Sequence, residues 1–212
     1  MGRRHHNFQG NIMFLKGQLH AHSNCSDGNL TPQEVADAYA ARGFDFLAFT
    51  DHDHLLKPSY REVIASLHSE MLIFTGVELT VWSRKGYIHV SRIEGEREDL
   101  YIFNHPADYN LPLKETLQCI AEIAESYHLD AVEVTSHGFP TPLFDIPEIG
   151  YPRVAADDSH DLSDFGRAWI ELDSKRNKDS ILAAIRAGHC RNGYAGRLSA
   201  VSGIRAPKLQ IA

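Results

Sequence analysis

Cysteine is scarce in this chain: 212 residues hold only Cys25, Cys119 and Cys190. A sparse and odd set builds no disulfide framework and predicts a reducing, cytoplasmic setting. Long hydrophobic runs are missing as well, so no membrane association is expected. The opening Met1-Gly2-Arg3-Arg4-His5-His6 has neither the apolar stretch nor the cleavage site of a signal peptide. Positive charge is not in excess, since 21 Lys and Arg face 28 Asp and Glu for a net charge of −7. That balance argues against nucleic acid as a partner without excluding it. No repeat, low-complexity tract or linker interrupts the chain. Its length predicts a single domain over residues 1–212, with 1–12 as an N-terminal extension and 191–212 as a C-terminal tail.

What the chain has in quantity is histidine, thirteen in all, and many sit in recognisable company. His20-Ala21-His22-Ser23 is followed by Asp27-Gly28. Residues i and i+2 of a strand point to the same side, so His20 and His22 can grip one ion from a strand end, and Asp27 adds a carboxylate just beyond. Similar groups recur: Thr50-Asp51-His52-Asp53, Gly76-Val77-Glu78, His89, Asn104-His105-Pro106 and Asp158-Ser159-His160. Each falls at or after an apolar, strand-like run, which is the pattern of a multinuclear metal hydrolase. Three divalent cations would nearly cancel the chain's negative charge. Cys25 lies inside the first motif and is read as a packing residue.

The runs between these motifs alternate. Strands are expected near Met13–His20, Phe44–Thr50, Leu72–Thr80, Tyr87–Ile93, Asp99–Asn104, Ala131–Thr135, Arg153–Ala156 and Trp169–Leu172. Thr31-Pro32-Gln33-Glu34 opens a helix as a capping box with proline in its first turn, and Gly43 ends it. Further helices are expected over Ser59–Glu70, Leu113–Tyr127 and Asp179–Ala187. This alternation predicts an α/β fold with a largely parallel sheet. Ligands at successive strand ends suit a barrel, whose ends converge on one mouth.

The ordered set from His20 to His160 resembles the polymerase and histidinol phosphatase family, the PHP domains. Ala183-Ala184-Ile185-Arg186-Ala187-Gly188 resembles the family's final helix and glycine, so the likeness runs from about Phe14 to Gly188. The resemblance implies a distorted (β/α)7 barrel holding two to three divalent ions, Zn, Mn or Fe. It places His20, His22, Glu78 and Asp158 on a first ion. Glu78 bridges to a second, shared with His89 and His105, and Asp27, His52 and His160 hold a third. Glu78, Asp158 and His160 are the expected catalytic residues. Six histidines and three carboxylates suit ions of borderline character better than Mg or Ca.

The implied activity is hydrolysis of a small phosphorylated substrate by metal-activated water. Only Val90–Asn104 separates His89 from His105. Relatives that trim nucleotides carry an inserted subdomain in that region, so the short segment predicts an open mouth and counts against a nucleotide substrate. Competing readings are a nuclease or nucleotide phosphatase, an amidohydrolase-type amide or lactone hydrolase, and a non-catalytic metal-binding domain. A nuclease calls for a basic, aromatic-lined approach that the sequence does not display. The amidohydrolase group often bridges its metals with a carboxylated lysine, where this chain has Glu78. Asp51 and Glu133 are read as carboxylates that orient ligands. Arg153, Arg167 and His137 are candidates for contacting substrate, because guanidinium groups grip phosphate bidentately. His54 shares its neighbourhood with His52, and the resemblance favours His52 as the ligand.

Overall fold

In the computed structural model, which describes residues 12–196, the elements run β1 (Met13–Gln18), α1 (Pro32–Ala40), β2 (Phe46–Phe49), α2 (Tyr60–Ala65), β3 (Leu72–Ser83), β4 (Gly86–Ile93), β5 (Leu100–Phe103), α3 (Leu113–Tyr127), β6 (Ala131–Glu133), β7 (Thr135–Ser136), β8 (Phe139–Pro140), β9 (Arg153–Val154), β10 (Ala168–Ser174), α4 (Lys178–Arg186) and β11 (Cys190–Tyr194). The extension before Ile12 and most of the tail lie outside the described residues.

Local chemistry sets the helix starts. Thr31 Oγ1 accepts from Glu34 N at 3.3 Å, and the Glu34 carboxylate accepts from Thr31 N at 2.8 Å. This is the reciprocal capping box that the sequence predicts, with Pro32 in the first turn. Gly43 follows the helix with φ +72°, a conformation open to glycine at little cost. The α3 boundaries also coincide with the expected Leu113–Tyr127.

Nine strands form one sheet in the order β11-β10-β1-β2-β3-β4-β5-β6-β9. Its ends nearly meet. Asn192 of β11 donates to Arg153 O at 3.2 Å and accepts from Ala155 N at 2.9 Å. Beyond the ends of β1 and β9, Ala21 and Ser159 form a parallel bridge. The result is the distorted α/β barrel that the resemblance implies. The sheet is not largely parallel, however. The β1–β2, β2–β3, β5–β6 and β6–β9 pairs are parallel, while β3–β4, β4–β5, β1–β10 and β10–β11 are antiparallel. The turn at Arg84-Lys85 is too short for the crossover that a parallel neighbour requires. The expected tail from Arg191 likewise begins as strand, because β10 pairs with it from Ala168 to Leu172.

The barrel floor is apolar. Leu15, Leu19, Phe46, Phe74, Ile102, Val154 and Ile170 pack together from strands around the barrel, with Ile181, Leu182 and Ile185 of α4 against them. On β2, Phe46 and Ala48 join this inner cluster, while Leu47 and Phe49 face α1 and α2. That division is the two-residue alternation of a strand covered on both faces. The α3 residues Cys119, Ile120 and Ile123 cover β4, β5 and β6 through Val90, Phe103 and Val132.

At Gly76 the backbones of three strands crowd together. A Cβ there would lie 2.7 Å from Arg92 O and 2.9 Å from Phe49 O, both backbone atoms that cannot swing aside. Tyr60 Oη ties the same point by donating to Gly76 O at 2.7 Å and Phe49 O at 3.1 Å. Gly76→Ala is therefore expected to cost about 1–3 kcal/mol in urea unfolding. Gly43→Asn, in open space and in a conformation asparagine tolerates, should cost much less. Equal stability of the two variants would contradict this account of β3.

Candidate metal centre

The strand ends deliver the histidines and carboxylates to one mouth. His20, His22 and Asp27 follow β1, and His52 follows β2. Glu78 sits within β3, His89 within β4 and His105 just after β5. Asp158 and His160 follow β9. Glu78 is buried at the centre of this set. Its two oxygens lie 3.3 Å from His20 Nε2, 3.4 Å from His22 Nε2, 3.0 Å from His52 Nδ1, 3.2 Å from His89 Nδ1 and 3.1 Å from His105 Nε2.

The candidate donor atoms form overlapping groups, each spanning less than 4.8 Å: His22, Asp27, His52 and His160; His20, Glu78 and His105; His20, His22 and Asp158; His52, Glu78 and His89; and His105, Asp108 and Asp158. All nine residues singled out as ligands lie in these groups, and Asp108 joins them. His22 stands between two groups, with Nε2 3.2 Å from Asp158 and Nδ1 3.3 Å from Asp27. Several of these atoms are buried with no hydrogen-bond partner: Nδ1 of His22, His52, His89 and His105, and Oε2 of Glu78. Buried polar atoms are almost always paired. A cluster of unpaired imidazole nitrogens around carboxylates fits divalent cations, which use those lone pairs directly.

The backbone is held in unusual conformations around the same point. His105 (φ +26°), His137 (φ +46°) and Asp158 (φ +49°) occupy the left-handed region, where such strain often accompanies function. His137-Gly138 forms the two-residue turn between β7 and β8, with both φ angles positive, as tight hairpins require. His105 and Asp158 have no hairpin to account for theirs.

Outer contacts fix the ring orientations. Glu133 lies 2.9 Å from His20 Nδ1 and accepts from Thr135 Oγ1 at 2.8 Å. Asp51 touches no imidazole among these. It accepts from Ser23 N at 2.9 Å, Ser23 Oγ at 3.0 Å and Ser26 Oγ at 2.7 Å, clamping the loop that carries His22 and Asp27. Two residues escaped notice as site residues in the sequence. Asn104 donates to Glu78 Oε1 at 2.7 Å and to Ser91 Oγ at 2.9 Å. Asp108 lies 3.4 Å from His105 Nδ1 and accepts from Ser136 Oγ at 2.6 Å. The i, i+3 spacing of His105 and Asp108 was the available signal.

The proposed substrate contacts separate. His137 lines the mouth, with Nδ1 3.4 Å from Asp158. Arg167 reaches the rim, donating to His137 O at 3.2 Å and pairing with Asp164 at 2.9 Å. Arg153 does not reach the cluster. It opens β9 at the other end of that strand from Asp158, bonds Asp145 at 2.8 Å and borders a cavity lined by Pro147, Gly150 and Cys190. His54 is exposed and contacts Thr80 Oγ1 at 3.1 Å, outside every donor group.

Charge within the site is strongly coupled. Burial opposes ionisation of Glu78, but His20, His105 and His52 outweigh it and hold the carboxyl well below its ordinary range. Burial likewise opposes the charged form of His22, yet Asp158 and Asp27 raise it to about 9. His105 rises to about 8 against the same burial, chiefly through Glu78. In Asp51 burial dominates and raises the carboxyl.

This arrangement defines a histidine-rich metal-binding barrel. The chain belongs to the PHP domain family: the PHP domain model matches residues 18–139, more than half of the chain, and the PHP-associated model matches residues 147–190. The relatives are similar over short stretches. The 5′-3′ exoribonuclease of Haemophilus influenzae is 40% identical over 79 residues, 37% of this chain and 28% of that protein. The 3′,5′-nucleoside bisphosphate phosphatase of Chromobacterium violaceum is 46% identical over 68 residues, 31% of this chain and 23% of that protein. The matches thus span less than a third of either relative. Among solved structures, a two-domain Bacteroides vulgatus protein containing a predicted PHP-like metal-dependent phosphoesterase matches with a TM-score of 0.65 at 18% identity, over 86% of this chain and 65% of that one. That likeness shows the shared barrel.

Two outcomes follow from the geometry. Glu78→Gln should strip bound metal, because one buried negative charge faces five imidazoles, whereas Asp51→Asn should retain most of it. Metal content per chain by elemental analysis decides this, and the reverse order would overturn the assignment. The second concerns pH. His22 and His105 are raised above their ordinary value near 6.5, so in metal-free protein their stabilisation is complete below that value. It is lost as pH rises through about 8 and about 9. Metal needs the neutral rings, so binding gains over the same interval. The Tm difference between metal-loaded and metal-free protein should therefore widen from pH 6.5 to 9. A constant difference would show that protons and metal do not compete for these rings.

Proposed function

We propose that this protein is a metal-dependent phosphoesterase that hydrolyses a small phosphate ester at a centre of two to three divalent ions. The supporting observation is the buried Glu78 carboxylate facing five imidazoles, several with a nitrogen that lies near a carboxylate without a hydrogen bond. His20, His22, Glu78 and Asp158 would hold one ion. Glu78, His89 and His105 would hold a second, and Asp27, His52 and His160 a third. The imidazole-rich donor set favours Zn, Mn or Fe. When bound, such ions supply Lewis acidity toward phosphoryl oxygens and ionise water near neutral pH.

The chain's own residues shape the rest of the chemistry. Asp158 faces His20 and His22 through Oδ1 and His137 through Oδ2. It joins the cluster to the most exposed of the imidazoles that line the mouth. His137 is 63% exposed in its side chain, so it can exchange protons with water while touching a carboxylate of the site. In this reading it would hand a proton to the leaving oxygen. Asn104 leaves Glu78 Oε1 a fixed donor and so limits rotation of the carboxylate. Arg167 stands at the rim, but its pairing with Asp164 leaves it a weaker claim on phosphate than an unpaired guanidinium would have. Glu78 stands at the centre of the donor groups, where the amide and lactone hydrolases often carry a carboxylated lysine, which weighs against that reading.

The test is reconstitution with Mn, Zn or Fe, followed by assays on p-nitrophenyl phosphate, its diester, short oligonucleotides and amide substrates. Phosphomonoester hydrolysis should require more than one metal per chain and disappear on chelation. Full activity with metal removed, or cleavage confined to amides, would refute the proposal.

A further inference from the structure

The hairpin of β3 and β4 carries two large rings that packing does not explain. Trp82 and Tyr87 are each 67% exposed, with ring centroids 5.0 Å apart at 72°. Their position follows from the register. Glu78 pairs with Ser91, Thr80 with His89, and Trp82 with Tyr87. Residues two apart on a strand share a face, so Glu78, Thr80 and Trp82 point the same way, as do Tyr87, His89 and Ser91. The aromatic rung is therefore the next same-face step outward from His89, about 7 Å along the strand. Tyr87 lines the same cavity as His52, Glu78, His89, His137 and Asp158, a space of ≈ 360 Å³.

The hairpin is also anchored. Lys85 Nζ pairs with Glu115 at 2.7 Å and Arg84 N donates to Glu122 at 3.2 Å, both on α3. The edge-to-face contact holds the two rings against one another. A ring fixed in this way loses little rotamer freedom when a flat group stacks on it. Two large aromatics exposed side by side at a polar cleft form an apolar patch with a polar rim, the kind that marks a ligand-binding groove.

We infer that Tyr87, braced by Trp82, is the platform on which the base of a nucleoside phosphate stacks while its phosphate lies at the histidine cluster. This names the substrate class for the phosphoesterase reading and rests on it. The spacing selects the class. In an aryl phosphate the ring is bonded directly to the ester oxygen, too near the phosphorus to reach a platform one rung out. A pentose between phosphate and ring supplies the missing length. The tip cations Arg84 and Lys85 are paired with α3 carboxylates, so the hairpin offers little to the successive phosphates of a polynucleotide. A mononucleotide is the better match.

The experiment compares adenosine 5′-monophosphate with glycerol 3-phosphate, which has no ring, in the metal-reconstituted enzyme and its Tyr87→Ala, Tyr87→Phe and Trp82→Ala variants. Tyr87→Ala should raise KM for the nucleotide roughly 5- to 100-fold, change kcat little, and leave glycerol 3-phosphate within about 2-fold. Tyr87→Phe should restore nucleotide binding. In a Trp169→Phe background, adenosine should quench Trp82 fluorescence saturably. Equal losses on both substrates, or an unchanged nucleotide KM in Tyr87→Ala, would overturn the platform. A tenfold preference for an oligoribonucleotide over the mononucleotide would overturn the choice of class. Saturable quenching by adenosine in a protein that cleaves no phosphoester would retain the platform and sink the phosphoesterase reading instead.

Discussion

A carboxylate buried among imidazoles is the constraint on which the mouth of this barrel depends. Removing a charged carboxyl from water is costly unless partners replace the solvent. Glu78 is 1% exposed and meets five imidazoles together with the Asn104 amide. No single element can provide that environment. The rings come from the ends of β1, β2 and β5 and from within β4, so the strands must converge for Glu78 to be buried at all. The close approach at Gly76, two residues before Glu78, is the backbone's share of the same requirement.

The residues of the cluster satisfy one another only in part, and this explains the division of labour between the floor and the mouth. The floor is apolar and continuous, built from Leu15, Phe46, Phe74 and Ile170 with α4 beneath. Such packing supplies stability without directional demands. The mouth carries the opposite character: buried nitrogens without hydrogen bonds, opposed charges and two candidate ligands at positive φ without a hairpin. The local cost of this end is borne by the packing of the other. Asp51 and Glu133 complete the arrangement by fixing a loop and a ring whose positions the carboxylate cluster alone would leave loose.

How much of this was legible depended on how local each signal was. The α1 capping box, the span of α3 and the His20-Ala21-His22 pair rest on residues near one another in sequence, and the structure has each of these features where expected. The grouping of all nine histidines and carboxylates was also legible, because each follows or sits in an apolar run whose end faces the same mouth. Asn104 and Asp108 were less so, since their roles depend on contacts with Glu78 across strands and with Ser136 on a separate hairpin. Arg153 misled because it opens its strand. A residue at the start of β9 lies at the other end of that strand from one that follows it, and four residues lie between it and Asp158. The antiparallel strands were hidden as well, since an apolar run carries no direction. β11 reads as polar turn residues and becomes strand only through β10 and Asn192.

The short connection between His89 and His105 bears differently on substrate in sequence and in space. As a length of chain it signals a missing lid, and a missing lid counts against holding a nucleotide. In the barrel, however, the same region is an antiparallel pair, and shortness between β4 and β5 leaves the opposite end of β4 free to extend past the cluster. The extension is the hairpin with Trp82 and Tyr87 on the face it shares with Glu78 and His89. A lid encloses a ligand by moving over it, whereas a fixed aromatic rung can bind one face of a base and leave the other in water. The open mouth is thus compatible with ring recognition, provided the ring lies one strand step from the phosphate. Selectivity then resides in the distance between Tyr87 and His89, which the strand geometry sets, and not in enclosure.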